Sequence, residues 1–381
     1  MITTINNKHN KLNVPNLRFK EFQGEWEKCK LGDICAFLSG GTPKIDIKEY
    51  WDGTIPFVSA ISMHNTYISD SNLHISEKGL KNGSKLLKKN NLLLLVRGSM
   101  LWKSIPVCLN ESDVAFNQDV KGIIPNDTTN NKFLLYWLKS KEQRLKYMVT
   151  GTGLGAGKLD TNDLLSMSVY APSMNEQDKI AKLLSLLDKR IATQNKIIDK
   201  LQSLIKGIAQ KIVRNNKPNV RLTECLECKS STLQESEVCE QGTYPVYGAN
   251  GIVGYLDNYN TEGEAVYIIK DGSGVGTVSY VTGKCSATGT LNTLQAKDGY
   301  SLQYLYYLLK VFNFEPYKTG MAIPHIYFKD YGKAKVFCPS YTEQLQYARL
   351  LSAIESKLSI EKNILISLSL QKQYLLRQMF I

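Results

Sequence analysis

The chain has 381 residues, of which 43% are hydrophobic and 22% are charged, so we expect two or three folded domains. Its longest apolar run, Leu92–Val96, is too short to cross a membrane, and residues 1–8 lack the apolar core of a secretory signal. We therefore expect a cytoplasmic protein. The net charge of +12 favours an anionic partner, most simply nucleic acid.

The positive charge is unevenly distributed along the chain. Residues 1–168 carry a net charge of +6, whereas residues 221–335 carry −2. The second stretch is therefore not basic overall, and this counts against nucleic-acid binding there.

In the first stretch, a glycine-rich loop at 39–44 and a lysine cluster at 78–89 can approach a phosphate backbone, although an ordinary turn and a solvated face explain them equally well. Arg97, Asn117 and Gln118 have side chains that read guanine or adenine edges. The candidate DNA contacts of this stretch are Ser39, Gly41, Thr42, Lys44, Ser59, Lys85, Arg97, Ser99, Asn117, Gln118 and Lys158.

A sequence pattern typical of the start of a helix occurs twice, 167 residues apart. Residues 169–177 and 336–344 both contain the pattern Pro-Ser-x-x-Glu-Gln. Pro172 and Pro339 close an extended stretch. The serine and the glutamate that follow predict a capping box at the start of a long helix in each copy.

Both predicted helices carry apolar residues in alternating steps of four and three, the pattern of supercoiled helices. This narrow stripe favours pairing of the two copies over packing of each on its own domain. A polar pair, Gln194 and Glu361, interrupts the stripe at the same register, which predicts a register lock, a kink or a partner contact. The seam residues are Ile180, Leu184, Leu187, Ile191, Ile198, Leu201, Leu351, Ile354, Leu358, Leu365 and Leu368.

The second globular stretch repeats landmarks of the first. Residues 53–56, 97–99 and 133–139 recur in weaker form at 242–245, 270–273 and 304–310, while the loops between them differ. A shared frame with unlike loops is expected of a scaffold that reads two targets. The candidate contacts here are Tyr247, Asn250, Lys270, Asp271, Ser273, Thr290 and His325.

The repeat implies a pseudo-two-fold axis. Antiparallel helices of about 40 residues would span roughly 60 Å and place the two domains at opposite ends, as a reader of two separated half-sites requires. The antiparallel direction follows from this functional argument and not from the seam.

Catalytic motifs are incomplete. The run Gly151–Lys158 lacks the first glycine and the final hydroxyl of a phosphate loop, and Gly272–Gly276 has a glycine one place too early for a dinucleotide fingerprint. His9, His64, His74 and His325 show no metal or triad spacing. Cys225 and Cys228 form one CxxC, and a zinc site would need distant ligands such as Cys285 or His325, so free thiols are the simpler interpretation.

Taken together, these motifs resemble the specificity subunit of type I restriction–modification systems. The resemblance rests on residues 14–19, Trp26, 31–34, 39–43, 55–59, 117–118 and 244–251 and on the tandem helix starts, and it spans essentially the whole chain. The sequence departs from the family's pattern at Thr152–Lys158, which is richer in glycine than the family's loop.

The resemblance implies an α+β fold with two mixed α/β target recognition domains (1–168 and 217–335) and two antiparallel coiled-coil spacer helices (169–216 and 336–381). It implies a non-catalytic chain that binds no cofactor and reads a bipartite duplex target. The partners would be two methyltransferase subunits carrying S-adenosylmethionine and, optionally, restriction–translocase subunits using ATP and Mg²⁺. The alternative is a coiled-coil adaptor for a protein or a glycan, which the acidic second domain favours.

Overall fold

The computed structural model describes residues 2–4, 13–153 and 155–381. The chain forms two compact units: unit 1 comprises residues 1–193 and 365–381, and unit 2 comprises residues 194–364. Within the described residues, no helix combines the length and the apolarity needed to cross a bilayer.

Unit 1 contains a five-stranded sheet of order β4-β13-β9-β11-β6 and a four-stranded sheet of order β7-β5-β12-β8. Its strands are β1 Ile2–Thr4, β2 Leu17–Phe19, β3 Glu27–Lys30, β4 Cys35–Ser39, β5 Ile55–Val58, β6 Tyr67–Ile68, β7 His74–Ile75, β8 Leu86–Leu87, β9 Leu92–Leu95, β10 Arg97–Gly98, β11 Val107–Asn110, β12 Val114–Phe116, β13 Val120–Pro125, β14 Thr150–Gly151, β15 Gly157–Lys158 and β16 Ser168–Ala171. Its shorter helices are α1 Leu31–Ile34, α2 Lys48–Trp51, α3 Glu77–Gly83, α4 Asn131–Ser140, α5 Glu142–Tyr147 and α6 Thr161–Ser166.

Unit 2 repeats this topology in reduced form. Its four-stranded sheet has the order β18-β24-β21-β22, and its three-stranded sheet has the order β20-β19-β23. The strands are β17 Val220–Arg221, β18 Leu226–Ser230, β19 Tyr244–Gly248, β20 Gly251–Leu256, β21 Ala265–Ile269, β22 Val278–Val281, β23 Ser286–Ala287, β24 Leu291–Ala296 and β25 Lys335–Val336, and the short helices are α8 Leu222–Cys225, α9 Leu302–Leu309 and α10 Phe328–Tyr331.

The correspondence extends to strand direction. Strands β5 and β12 pair in parallel, as β19 and β23 do, and the other strands of the matching sheet cores pair antiparallel in both units. The internal repeat predicted from the sequence is therefore present in the globular parts as well as in the helices.

The glutamine of each repeated motif ties a long helix to its domain. Gln177 accepts a hydrogen bond from the backbone N–H of Asn130 and donates to the carbonyl of Pro172, while Gln344 does the same with Ser301 and Pro339. Both glutamines are 2% exposed. Because an unpaired buried amide is costly, this side chain fixes the start of α4 or α9 beside the start of the long helix.

The predicted capping box forms in one copy only. Glu343 accepts hydrogen bonds from the N–H and the hydroxyl of Ser340, and the N–H of Glu343 lies 3.4 Å from that hydroxyl. In the first copy the prediction is wrong, because Arg18 draws the buried Glu176 carboxylate away with two 2.8 Å bonds.

The long helices are α7 Met174–Arg214 and α11 Tyr341–Gln378. Each begins after the strand and proline that precede it, so the predicted spacers 169–216 and 336–381 include short non-helical ends. The predicted seam residues lie on the inward face: Ile180, Leu184, Leu187, Ile198, Leu351, Leu358 and Leu368 are buried, and Ile191, Leu201, Ile354 and Leu365 are partly buried.

Within unit 2, the two polar seam residues meet each other. The Gln194 side chain donates to the backbone carbonyl of Glu361 at 3.0 Å and to its carboxylate. Residues at equivalent positions of two paired helices touch all along a parallel pair in register, or at a single point of an antiparallel pair. Of the three roles predicted for this pair, the structure shows the register contact.

Within unit 1, the first half of α7 packs against the end of α11. Lys372 forms an ion pair with Asp188, while Phe380 packs on Phe133, close to where Gln177 bonds Asn130. Early positions of α7 thus face late positions of α11, which is an antiparallel pairing. The fold class predicted from the sequence is confirmed in its mixed α/β domains and antiparallel helices.

A tyrosine–acid bond recurs between domain helix and long helix. Tyr136 donates to Asp188 at 2.8 Å in unit 1, and Tyr307 donates to Glu355 at 2.7 Å in unit 2. Burial raises the pKa of Glu355, but the hydrogen bonds from Lys310 and Tyr307 outweigh it, so the net shift is downward. The carboxylate therefore stays ionised and holds both donors.

The Gln194–Glu361 contact predicts strong coupling. Gln194→Leu and Glu361→Leu should each lower the free energy of unfolding of the full chain by about 1–3 kcal/mol, because each breaks the hydrogen bond between two buried polar side chains. The double variant should cost less than the sum of the two. Denaturant unfolding of the four proteins measures this coupling, with Gln202→Leu at an exposed α7 position as the control. If the loss in free energy of unfolding of the double variant equalled the sum of the two single losses, the contact would be contradicted.

The end of α11 should be a structural part of unit 1. Phe380 is 6% exposed and packs 5.4 Å from Phe133, centroid to centroid. Phe380→Ala should lower the stability of unit 1 by about 3–5 kcal/mol, since it opens a cavity. Tyr374→Ala, in the last turns of α11 and 53% exposed, should have little effect in the same denaturant titration. Equal stability of the two variants would refute the packing.

Candidate nucleic-acid interface

The candidate surface of unit 1 is built where the parallel strands β5 and β12 end. The N–H of Asn117 donates to the carbonyl of Val58 at 3.1 Å, which places Ser59 and Asn117 side by side. The side-chain oxygen of Asn117 accepts from the N–H of Asp119, and its amide donates to the Asp119 carboxylate. This small turn leaves Gln118 exposed at its tip.

The glycine-rich loop packs directly against that turn. A Cβ on Gly40 would lie 2.3 Å from the carbonyl oxygen of Phe116, and one on Gly41 would lie 2.4 Å from that of Gly83. Only glycine permits this approach. As a result, Thr42 donates from its hydroxyl to Gln118 at 2.7 Å, and Ser39 accepts from Lys121 at 2.6 Å.

Two exposed cations lie next to the turn. The N–H of Arg97 donates to the carbonyl of Asp119 at 3.2 Å, and Arg97 faces Lys158 across the antiparallel pair β10–β15. Lys158 lies 3.7 Å from Asp160, whose pKa is lowered chiefly by backbone N–H bonds from Asn162 and Asp163. These amides bond Oδ1 of Asp160, whereas Lys158 pairs with Oδ2 at 3.7 Å, and the Lys158 side chain remains exposed.

The lysine cluster divides between paired and unpaired members. Lys78 pairs with Glu49 and Lys88 with Asp113. Lys81 and Lys85 are exposed, and no acid among the described residues pairs with them. Ser84 donates to the carbonyl of Phe116, so Lys85 follows directly on the loop–turn contact.

The remaining unit 1 candidates lie at its margins. Lys44 is exposed, and its carbonyl accepts from the indole of Trp51, whereas Ser99 starts a single 3₁₀ turn, Ser99–Trp102. Sequence reasoning missed Trp102, which is 52% exposed and donates to the carbonyl of Gly155 in the glycine-rich loop 151–158. Leu154 of that loop lies outside the described residues. The signal that could have identified Trp102 is an aromatic residue next to the basic strand pair β10–β15.

The corresponding surface of unit 2 follows the ends of β19 and β23. The N–H of Thr288 donates to the carbonyl of Tyr247 at 2.9 Å, and the hydroxyls of Thr288 and Thr290 lie 2.9 Å apart. The N–H of Lys270 donates to the carbonyl of Thr290. Tyr247, Thr290 and Lys270 thus occupy one surface, and Asn250 is exposed in the turn between β19 and β20.

Asp271 and His325 meet on the same surface. The Nδ1 of His325 lies 2.7 Å from a carboxylate oxygen of Asp271, and the backbones of the two residues form an isolated bridge. Reciprocal backbone bonds between Thr319 and His325, both below 3.0 Å, hold the ring in place. Ser273 lies in the exposed turn that follows.

Two ionisable side chains of unit 2, Tyr247 and Cys228, have raised pKa values. Burial, and secondarily Cys285 and Tyr255, raise the pKa of Tyr247, and burial raises the pKa of Cys228 to about 11. Both groups therefore stay neutral near pH 7, and their hydroxyl and thiol remain hydrogen-bond donors.

The cysteine and histidine predictions have the following outcome. Cys225 is buried and interacts with Cys338, while Cys239 is exposed. The described residues contain no group of three or more histidine, cysteine or acidic side chains arranged for a metal ion. His74 bonds Asp70, and His9 lies outside the described residues.

A comparison with known protein families establishes the family of this chain. The sequence model described as "Type I restriction modification DNA specificity domain" matches the chain twice, over residues 23–203 and 216–370. The chain belongs to this family. The two matches correspond to the two repeats of this specificity domain, so the resemblance stated from the sequence is confirmed.

Individual relatives agree with the family. The chain is 32% identical over 174 residues to the "Type I restriction enzyme EcoR124I/EcoR124II specificity subunit" of Escherichia coli, an alignment covering 45% of this chain and 43% of that protein. It is 30% identical over 199 residues to the "Type I restriction enzyme MjaVIII specificity subunit" of Methanocaldococcus jannaschii, covering 51% and 44%. The chain thus spans less than half the length of these curated relatives.

Solved structures extend the agreement in fold to nearly the full length. The crystal structure of a type I restriction–modification S subunit from M. genitalium superposes with a TM-score of 0.68 at 20% identity, covering 97% of this chain and 99% of that one. A chain solved in work on assembly and conformational transition of the type I system gives 0.52 at 15% identity, covering 92% and 96%. At these identities the likeness shows the fold.

The close approach of the glycine-rich loop yields a stability prediction. Gly40→Ala should lower the free energy of unfolding of unit 1 by about 1–3 kcal/mol, because a methyl group cannot fit against two carbonyl oxygens. Gly153→Ala has no atom within 4 Å of the added carbon and is the matched control. Thermal unfolding of both variants compares them, and an unaltered Gly40→Ala protein would contradict the packing.

Proposed function

We propose that this chain is the DNA sequence-specificity subunit of a type I restriction–modification complex. Each unit reads one half of a bipartite duplex target, and the antiparallel helices set the spacing between the halves. Membership of the specificity-domain family supports this proposal.

The observation that carries the proposal is one surface constructed twice with unlike side chains. In each unit a turn follows a pair of parallel strands, β5–β12 in unit 1 and β19–β23 in unit 2. A carbonyl of that turn accepts a backbone hydrogen bond from the segment that follows β9 in unit 1 and β21 in unit 2. Unit 1 displays Gln118, Arg97 and Lys158 there, whereas unit 2 displays Thr290, Asp271 and His325. Hydrogen-bonding side chains held by backbone contacts are suited to reading base edges, and different sets read different bases.

The helices provide surface for protein partners. Large apolar side chains remain exposed on both, away from the seam: Leu186, Leu204 and Val213 on α7, and Leu350, Ile360, Ile364, Ile366, Leu370 and Tyr374 on α11. Exposed apolar rows of this kind mark interaction sites. We propose that two methyltransferase subunits cover them, with restriction–translocase subunits as optional further partners.

All chemistry in this proposal belongs to those partners. The methyltransferase subunits hold S-adenosylmethionine and transfer its methyl group to adenine, and the restriction subunits use ATP and Mg²⁺. This chain contributes sequence recognition and positioning, and it binds no cofactor itself.

Methylation mapping tests the proposal. In DNA modified by the chain assembled with its methyltransferase subunits, methylated adenines should define two short, different motifs a constant number of bases apart. Exchanging residues 221–335 for the equivalent segment of another family member should change one motif and leave the other intact. Sequencing that detects N6-methyladenine measures both outcomes.

The adaptor alternative makes the opposite prediction. Binding of duplex DNA by the assembled complex should weaken steeply with salt, because phosphate contacts release counterions. The absence of both DNA binding and a bipartite motif would contradict the proposed function and favour the adaptor.

A further inference from the structure

The two candidate surfaces carry differently charged side chains at equivalent positions. In unit 1 the N–H of Leu159 donates to the carbonyl of Val96, and in unit 2 the N–H of Ile326 donates to that of Lys270. The residues beside these bonds therefore correspond: Arg97 and Lys158 face each other in unit 1, and Asp271 and His325 in unit 2. The same backbone arrangement thus presents two cationic side chains in unit 1 and a carboxylate–imidazole pair in unit 2.

We propose that Asp271 and His325 form a base-reading pair that accepts the exocyclic amino group of an adenine or cytosine in the half-site of unit 2. This inference rests on the proposed function and assigns one contact within it. Unlike phosphates and the guanine or thymine edge, these two bases present an amino donor in the major groove.

The geometry leaves an acceptor available. His325 Nδ1 engages one carboxylate oxygen at 2.7 Å, while the second forms a 3.8 Å ion pair with the Lys270 ammonium, which is longer than a hydrogen bond. Both side chains of the pair are about one-third exposed, at 34% for Asp271 and 35% for His325. The carboxylate is therefore held in place by the ring and still accessible from outside.

The charge explains why such a pair confers specificity. A carboxylate facing DNA is repelled by phosphates and by the acceptor atoms of guanine and thymine, so it stabilises the complex only when an amino group meets it. In unit 1, Arg97 and Lys158 have the reverse preference and suit phosphates or guanine.

Base analogues test the inference without changing the fold. After the motif of the assembled complex has been mapped, each adenine or cytosine of the unit 2 half-site, except the methylated adenine, is replaced by an analogue lacking the amino group. At one position the wild-type complex should lose about tenfold or more in affinity. Asp271→Ala, which removes both carboxylate acceptors, should bind the natural and the analogue DNA with a much smaller difference, and its motif should relax at that position alone.

Two variants serve as controls. His325→Gln should weaken the same discrimination through loss of the fixed carboxylate, whereas Lys158→Gln should alter recognition of the unit 1 half-site only. A wild-type complex indifferent to removal of every such amino group, or Asp271→Ala with an unchanged motif, would overturn the inference while the bipartite motif upheld the proposed function. Absence of any bipartite motif would overturn both.

Discussion

The structure depends on the pairing of α7 with α11 through their own equivalent residues. A heptad stripe alone permits several registers, since one leucine fits a neighbouring hole nearly as well as another. Gln194 removes that freedom in unit 2, because its amide is 8% exposed and finds its partners on Glu361. A shift of one heptad would bury the amide against Ile354 or Leu368, at a cost of about 1–3 kcal/mol.

Buried polar contacts also connect each domain to the long helix that follows it. Gln177 and Gln344 close the starts of α4 and α9, while Tyr136 and Tyr307 bond carboxylates further along α7 and α11. Two buried polar contacts on one helix face define both the position and the direction of the domain helix. Since α4 packs on β11 and β13, and α9 packs on β21, β22 and β24, these contacts also position each long helix relative to the sheet of its own unit.

Much of the fold follows from repetition and periodicity in the sequence. The doubled Pro-Ser-x-x-Glu-Gln motif and the seam predict both long helices and their inward faces, because those properties depend on local caps and spacing. The capping box of Glu176 was predicted wrongly, since its competitor Arg18 is 158 residues distant in sequence and nothing local reveals it. The antiparallel direction was likewise reached only through a functional argument.

The candidate site was less accessible to sequence reasoning. Arg97, Asn117 and Gln118 could be selected by residue type, but their convergence depends on the parallel pairing of β5 with β12 and on two glycines that admit a backbone contact. Trp102 was missed because its exposure results from the fold of the loop around it. The correspondence of Arg97–Lys158 with Asp271–His325 needs the backbone, since these segments have no sequence similarity beyond a glycine and a serine.

The direction of helix pairing can be measured directly within unit 1. Spin labels carried on unnatural amino acids at positions 186 and 374, which are 51% and 53% exposed, report the distance between the first half of α7 and the end of α11. Antiparallel pairing predicts a separation below about 25 Å, the width of two helices side by side. A parallel pair in repeat register would offset the labels by 21 residues, or roughly 32 Å along the axis, and a distance beyond about 30 Å would contradict the account.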